Sequence, residues 1–176
     1  MKYLPLFLII TLFLSLSACE APSEAGNGNM VSQEGPSIDL MKSTVDAYNN
    51  GDFDAWASSF ADTAKIYPQG YGLESVSVAT DKENQMAFVQ QFSDYKFETM
   101  VWEVVNMGGD TDWVHMWGTW TGTLKADGSE VTVPVFINPA IEQGKIVGMT
   151  RYLDASIFND AIEAAAAAAE GTEAEE

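Results

Sequence analysis

The chain has 176 residues, of which 47% are hydrophobic, 11% aromatic and 19% charged, enough for one packed domain with short extensions and too apolar for wholesale disorder. Eight Lys and Arg against 26 Asp and Glu give a formal charge of −18, a sign that repels phosphate backbones, so no nucleic-acid partner is expected. One His and one Cys exclude an all-protein zinc site and a disulfide framework.

Met1-Lys2-Tyr3 is a basic start, and the run from Leu4 to Leu16 is nearly all apolar. It is shorter than the roughly 20 residues of a spanning helix and reads as the apolar part of a secretory signal. Leu16-Ser17-Ala18-Cys19 resembles the bacterial lipobox. That resemblance implies cleavage before Cys19, lipid on its sulfur, and an exported protein anchored to a bacterial membrane in the cell envelope. The plain alternative is an ordinary signal peptide cut after Ala18, which leaves an unpaired thiol in an exported chain. Residues 1–18 are thus assigned to a lipoprotein signal peptide. Residues 19–36, rich in Gly, Ser, Asn and Pro, are assigned to a flexible tether.

The folded domain is expected over residues 37–160. Ser37 can cap a first helix whose Ile38, Met41, Val45 and Tyr48 form an apolar stripe, ended by Asn50-Gly51. Asp52 caps a second, with Phe53, Trp56, Ala57 and Phe60 on one face. Ala64 to Pro68 is a short strand. Asp81 caps a third helix, with Met86, Val89 and Phe92 inward. Four long runs follow: Tyr95 to Met107, Trp113 to Leu124, Val131 to Ile141 and Lys145 to Leu153. The turn formers between them predict an antiparallel meander. A helix from about Ser156 frays into an acidic Ala- and Glu-rich tail over residues 161–176. The fold class is α+β: a curved antiparallel sheet with three N-terminal helices around a pocket.

Tyr48-Asn49-Asn50-Gly51-Asp52-Phe53-Asp54-Ala55-Trp56 and Phe60-Ala61-Asp62-Thr63-Ala64 resemble the opening of the nuclear transport factor 2-like superfamily. Gly144-Lys145-Ile146-Val147 and Arg151-Tyr152-Leu153-Asp154 resemble its closing strand. The resemblance implies a cone-shaped sheet closed by helices. It also brings in ketosteroid isomerases and SnoaL-like polyketide cyclases as relatives, although fold alone does not give function. Thr44, Pro68 and Phe136 stand where those isomerases carry their Tyr, base and late-strand acid, so that mechanism is rejected. Asp154 falls near the acid/base Asp of SnoaL-like cyclases, whose partner His has no counterpart in Val131 to Ile141.

Two residues are therefore candidate catalysts. Asp154 is either a base or the cap of the last helix. His115, between Trp113 and Trp117, lies either in the pocket or on the outer sheet face. Tyr67, Tyr71, Trp113, Trp117, Phe136, Asn138 and Arg151 are pocket candidates. No metal site and no cofactor are implied. Three readings stay open: a membrane-tethered domain binding a small apolar or amphipathic ligand; a cofactor-free lyase, isomerase or hydrolase using Asp154 or His115; and a homodimer through the sheet with a filled cone. The first is preferred, because every catalytic position carried over from the relatives is missing or ambiguous.

Overall fold

The computed structural model describes residues 30–173, so the segment read as a signal peptide, Cys19 and the first part of the segment read as a tether lie outside the described residues. In chain order the elements are β1 (Met30–Ser32), α1 (Pro36–Asn49), α2 (Phe53–Ser58), β2 (Phe60–Tyr67), α3 (Val78–Val89), β3 (Phe92–Asn106), β4 (Asp112–Leu124), β5 (Glu130–Glu142), β6 (Lys145–Leu153) and α4 (Ala155–Glu173). One six-stranded sheet has the order β1-β3-β4-β5-β6-β2. β3 to β6 form the antiparallel meander, and β2 joins the far edge parallel to β6.

Short connections enforce this order. Between β5 and β6 the two-residue turn Gln143-Gly144 has both φ angles positive, 50° and 73°, the backbone that a tight hairpin requires. The curl of the sheet has local causes in β3, where the register against β4 shifts between Ser93 and Lys96 and again between Glu98 and Val101. Asp94 (φ 50°) and Thr99 (φ 53°) sit in those shifts, as bulge residues do, and bulges bend and twist a strand. Gly118 lies opposite the second bulge. A Cβ there would stand 3.0 Å from the Glu98 carbonyl oxygen, so the close approach of β3 and β4 needs glycine.

The concave face is packed by helices. Ile38, Met41, Val45 and Tyr48 of α1 are all buried against it, together with Phe53 and Trp56 of α2. They meet Val114, Met116 and Trp120 of β4, Val133, Val135 and Ile137 of β5, and Ile146 and Met149 of β6. The core therefore sits inside the curl.

Several boundaries differ from the sequence expectation. Met30–Ser32 lies within the segment read as tether but pairs with β3, its backbone extending the sheet edge. Ser37 is not the cap: Gly35 holds that position with Pro36 behind it, and the Ser37 hydroxyl donates to Asp112 of β4 at 2.6 Å. Phe60 begins β2 instead of closing α2. Ser77, not Asp81, caps α3, accepting from the Thr80 amide at 3.1 Å, and Met86 is exposed. Phe92 opens β3. The fourth helix runs on through the predicted tail, because Phe158 and Ala165 are buried on the core while Ile157, Ala161 and Ile162 pack beside them. Among the described residues no helix is long and apolar enough to cross a membrane.

Candidate functional site

The alternation of β-strand side chains separates two environments. On β6, Met149 and Arg151 point into the curl while Thr150 and Tyr152 belong to the other face. On β5 the inward set is Val133, Val135 and Ile137, which leaves Phe136 and Asn138 outside. Inside, a cavity of about 170 Å³ opens among Tyr48, Phe88, Phe97, Trp120, Arg151 and Phe158, with Gln85 and Pro68 also on its wall. A smaller void of about 30 Å³ continues beneath it toward Met41, Thr44 and Met149, sharing Tyr48, Phe97 and Arg151 with the main cavity.

The walls are chiefly aromatic. Trp120 stands edge-on to Phe158 at 5.0 Å and to Phe92 at 4.9 Å, with Phe88 at 5.5 Å. Such geometry brings the positive ring edge to a negative ring face. The Trp120 indole N–H donates to the Tyr48 hydroxyl at 3.1 Å. Burial pushes the Tyr48 phenol far above the ordinary tyrosine range, and that hydrogen bond lowers it only in part. Tyr48 is accordingly a fixed neutral hydroxyl at any physiological pH.

Arg151 on the cavity wall is paired with Asp81, whose carboxylate accepts from a guanidinium nitrogen. Asp81 is 1% exposed and its second oxygen, Oδ2, has no hydrogen-bond partner among the described residues. Burying an ion pair is costly unless the geometry is close and the remaining polar atoms are satisfied. Asp81 and Gln85 share a helical face with Phe88, four and three residues apart, so α3 brings the Gln85 amide to the cavity wall and the Asp81 carboxylate to Arg151.

Of the catalytic and pocket candidates named from the sequence, Arg151 alone lines this cavity. Trp113, Trp117, Phe136 and Asn138 stand on the outer face of the sheet, as strand parity requires, and of the two placements open to His115 the structure has the outer one. Trp117, Phe136 and Tyr152 are neighbours in register and stack at 5.2 and 5.9 Å. Beside them Trp113, His115, Phe136, Asn138, Thr150 and Tyr152 edge an open groove of about 360 Å³, with Tyr71 above it. Tyr71 reaches this groove by donating its amide to the Tyr152 hydroxyl at 3.2 Å, and Tyr67 packs on Tyr71 at 5.4 Å. His115 Nδ1 lies 2.8 Å from a Glu103 carboxylate oxygen on the neighbouring strand, and both side chains are partly exposed.

Asp154 is exposed at the head of α4. Its carboxylate accepts from the Ser156 hydroxyl at 2.7 Å and the Ser156 amide at 3.0 Å. The side-chain bond first and the backbone bond second hold its pKa below the ordinary aspartate range. That is the chemistry of a helix cap and the reverse of what a general base near neutrality needs.

Residues 42–149 match the SnoaL-like domain family. The chain belongs to that family. No curated protein matches the chain. Solved structures share its fold. A protein from Xanthomonas campestris pv. campestris named as a polyketide cyclase is 16% identical over 72% of this chain and 96% of its own, with a TM-score of 0.59. PrhC from Penicillium brasilianum is 14% identical over 77% and 94%, with a TM-score of 0.60. AclR from Streptomyces galilaeus, named as a hydroxylase, is 16% identical over 68% and 89%, with a TM-score of 0.54. At these identities the likeness establishes the curled α+β fold of the SnoaL-like family and leaves the chemistry to the residues.

The residues that sequence reading missed are Asp81, Gln85, Tyr48, Phe88, Trp120 and Phe158. The sequence does carry a signal for which face of β5 turns inward. Val131, Val133, Val135 and Ile137 alternate without interruption in β5, which marks the buried face and so places Phe136 and Asn138 opposite.

Proposed function

We propose that this SnoaL-like domain binds a small, largely apolar molecule inside the cone and is held at a bacterial membrane through lipid on Cys19. The observation carrying the first half is the partly open aromatic cavity with Arg151, which is ion-paired to the buried Asp81, on its wall. Its volume, about 170 Å³, is near the ~150 Å³ at which an apolar protein cavity accepts a benzene-sized guest. Pockets for drug-sized ligands start at roughly 300 Å³, so the guest is small. The enzymatic alternative through Asp154 or His115 draws no support from the cone, since the first caps α4 and the second faces outward. The membrane half rests on the Leu16-Ser17-Ala18-Cys19 motif behind a short apolar run. Several acyl chains at about 0.8 kcal/mol per buried methylene anchor a protein firmly.

Mass spectrometry of small molecules released from the natively purified protein tests the binding half. A compound that is retained by wild type and lost on Trp120→Ala supports it, and a protein that carries no guest and takes none from a set of small aromatic compounds ends it. Cys19→Ala should move the protein out of the membrane fraction or leave it unprocessed. Intact mass showing an unmodified Cys19 in the native host ends the anchoring half. A second reading, pairing of two copies through the sheet, is favoured by the outer row in which Trp117 and Tyr152 are 42% and 44% exposed and Val101 57%. Sedimentation of the full mature protein, with Trp117→Ala beside wild type, decides it.

A further inference from the structure

We infer that the polar end of the cone is built for an uncharged hydrogen-bond acceptor, the carbonyl or ether oxygen of a small ring compound, and selects against anions. The inference rests on the proposal that the cone holds a ligand and specifies what that ligand is.

The cavity offers donors. A guanidinium carries five N–H donors, and among the described residues the Arg151 group makes one hydrogen bond, to Asp81. Arg151 lines both the main cavity and the void beneath it. Tyr48 lines both as well. Its oxygen accepts from the Trp120 indole, so its own proton is left to donate, and burial keeps that proton in place. Gln85 contributes an amide at the same wall. An incoming oxygen with lone pairs thus meets two strong donors on a rigid aromatic frame.

The charge balance decides which oxygen. A lone buried Arg invites a carboxylate or phosphate. Here Asp81, itself 1% exposed, already neutralises Arg151. A ligand carboxylate would place a second negative charge beside a buried one, where water cannot screen the repulsion. It would also have to approach a chain of formal charge −18. A neutral acceptor uses the same donors and meets neither obstacle. Asp81 acts through Arg151 and is therefore a positioning and charge-setting residue, not a contact for the ligand.

The test uses the full mature protein at pH 7 and three probes with one ring in common: toluene, acetophenone and benzoate, each titrated by calorimetry. Acetophenone should bind about tenfold tighter than toluene, the gain from one hydrogen bond, and at least about tenfold tighter than benzoate. Asp81→Asn, which leaves Arg151 uncompensated in nearly unchanged shape, should reverse the order of acetophenone and benzoate. Equal affinity for toluene and acetophenone overturns the inference while leaving a ligand-binding cone. Benzoate as the tightest wild-type probe overturns it as well. Failure of all three to bind removes the ligand reading itself, and the inference with it. If Asp81→Asn does not fold, the wild-type order alone decides.

Discussion

Both faces of the curved sheet are aromatic, yet they differ in almost everything else. On the inner face Trp120 is 2% exposed, meets three phenyl rings, and gives its indole proton to Tyr48. On the outer face Trp117 is 42% exposed and belongs to a row of side-by-side rings whose edges meet solvent. The polar groups divide as well: a buried Arg–Asp pair inside, a partly exposed Glu–His pair outside. One strand, β4, supplies both indoles three residues apart. The odd spacing sends them to opposite faces, and environment, not residue type, then sets what each ring contributes.

The largest contrast should come from truncating those two rings. Trp120→Ala removes a fully packed side chain, leaves Tyr48 without its donor, and should cost about 3–5 kcal/mol of unfolding free energy. Trp117→Ala should cost less than about 1 kcal/mol in a monomer, because nearly half of that side chain is already in water. Chemical denaturation of both variants measures the difference. Similar costs for the two would erase the distinction between the faces, unless sedimentation shows that the outer row is buried in a dimer.

Next in size is the inner ion pair. Arg151→Met leaves Asp81 as an uncompensated acid in the core and should destabilise by about 3 kcal/mol. Adding Asp81→Leu to it should recover much of that loss, since apolar replacement of a buried pair is often close to neutral. The equivalent change outside, Glu103→Gln, breaks a pair whose partners are 31% and 26% exposed and should stay within about 1 kcal/mol. A double-mutant cycle on each pair reads the coupling directly. Equal coupling inside and outside would mean that water screens the inner pair after all.

These contrasts also mark how far the sequence could be read. The helices of the first half and the four strands of the meander were legible because their periods are clean: Ile38, Met41, Val45 and Tyr48 for a helix, turn formers such as Gln143-Gly144 between long β-branched runs. The cavity was less so. Asp81, a charged residue near a helix start, resembles a cap, and only tertiary packing turns it inward beside Arg151. Trp113, His115 and Trp117 share a face by alternation, but which face depends on how β4 registers against β5, and no local rule fixes that. The apolar face of α4 was hidden by its small size, since Ala165 becomes core only where the sheet leaves room for a close helix. The distinctive polar residues attract attention in a sequence, and here most of them gathered outside the cone.

The smallest expected effect separates cap from catalyst at Asp154. Hydrogen bonds from Ser156 lower its pKa in the folded protein, so its stabilising contribution is fully present above the unfolded aspartate pKa. That contribution fades as the pH falls toward and through the depressed folded value. Asp154→Ala should therefore narrow the gap between stability at pH 7 and at pH 3, with a slight loss at pH 7 and almost none at the acid end. Thermal unfolding across that range measures it, and circular dichroism should show the loss concentrated in helix. Asp154→Ser, which keeps a capping oxygen without a charge, should restore most of the helix while leaving the pH dependence flattened. A catalytic Asp154 predicts otherwise: ligand binding or turnover would change with both variants while helix content stayed the same. Since the residue stands exposed at the head of α4, outside the lining of the cone, binding of acetophenone should be the same in wild type and Asp154→Ser.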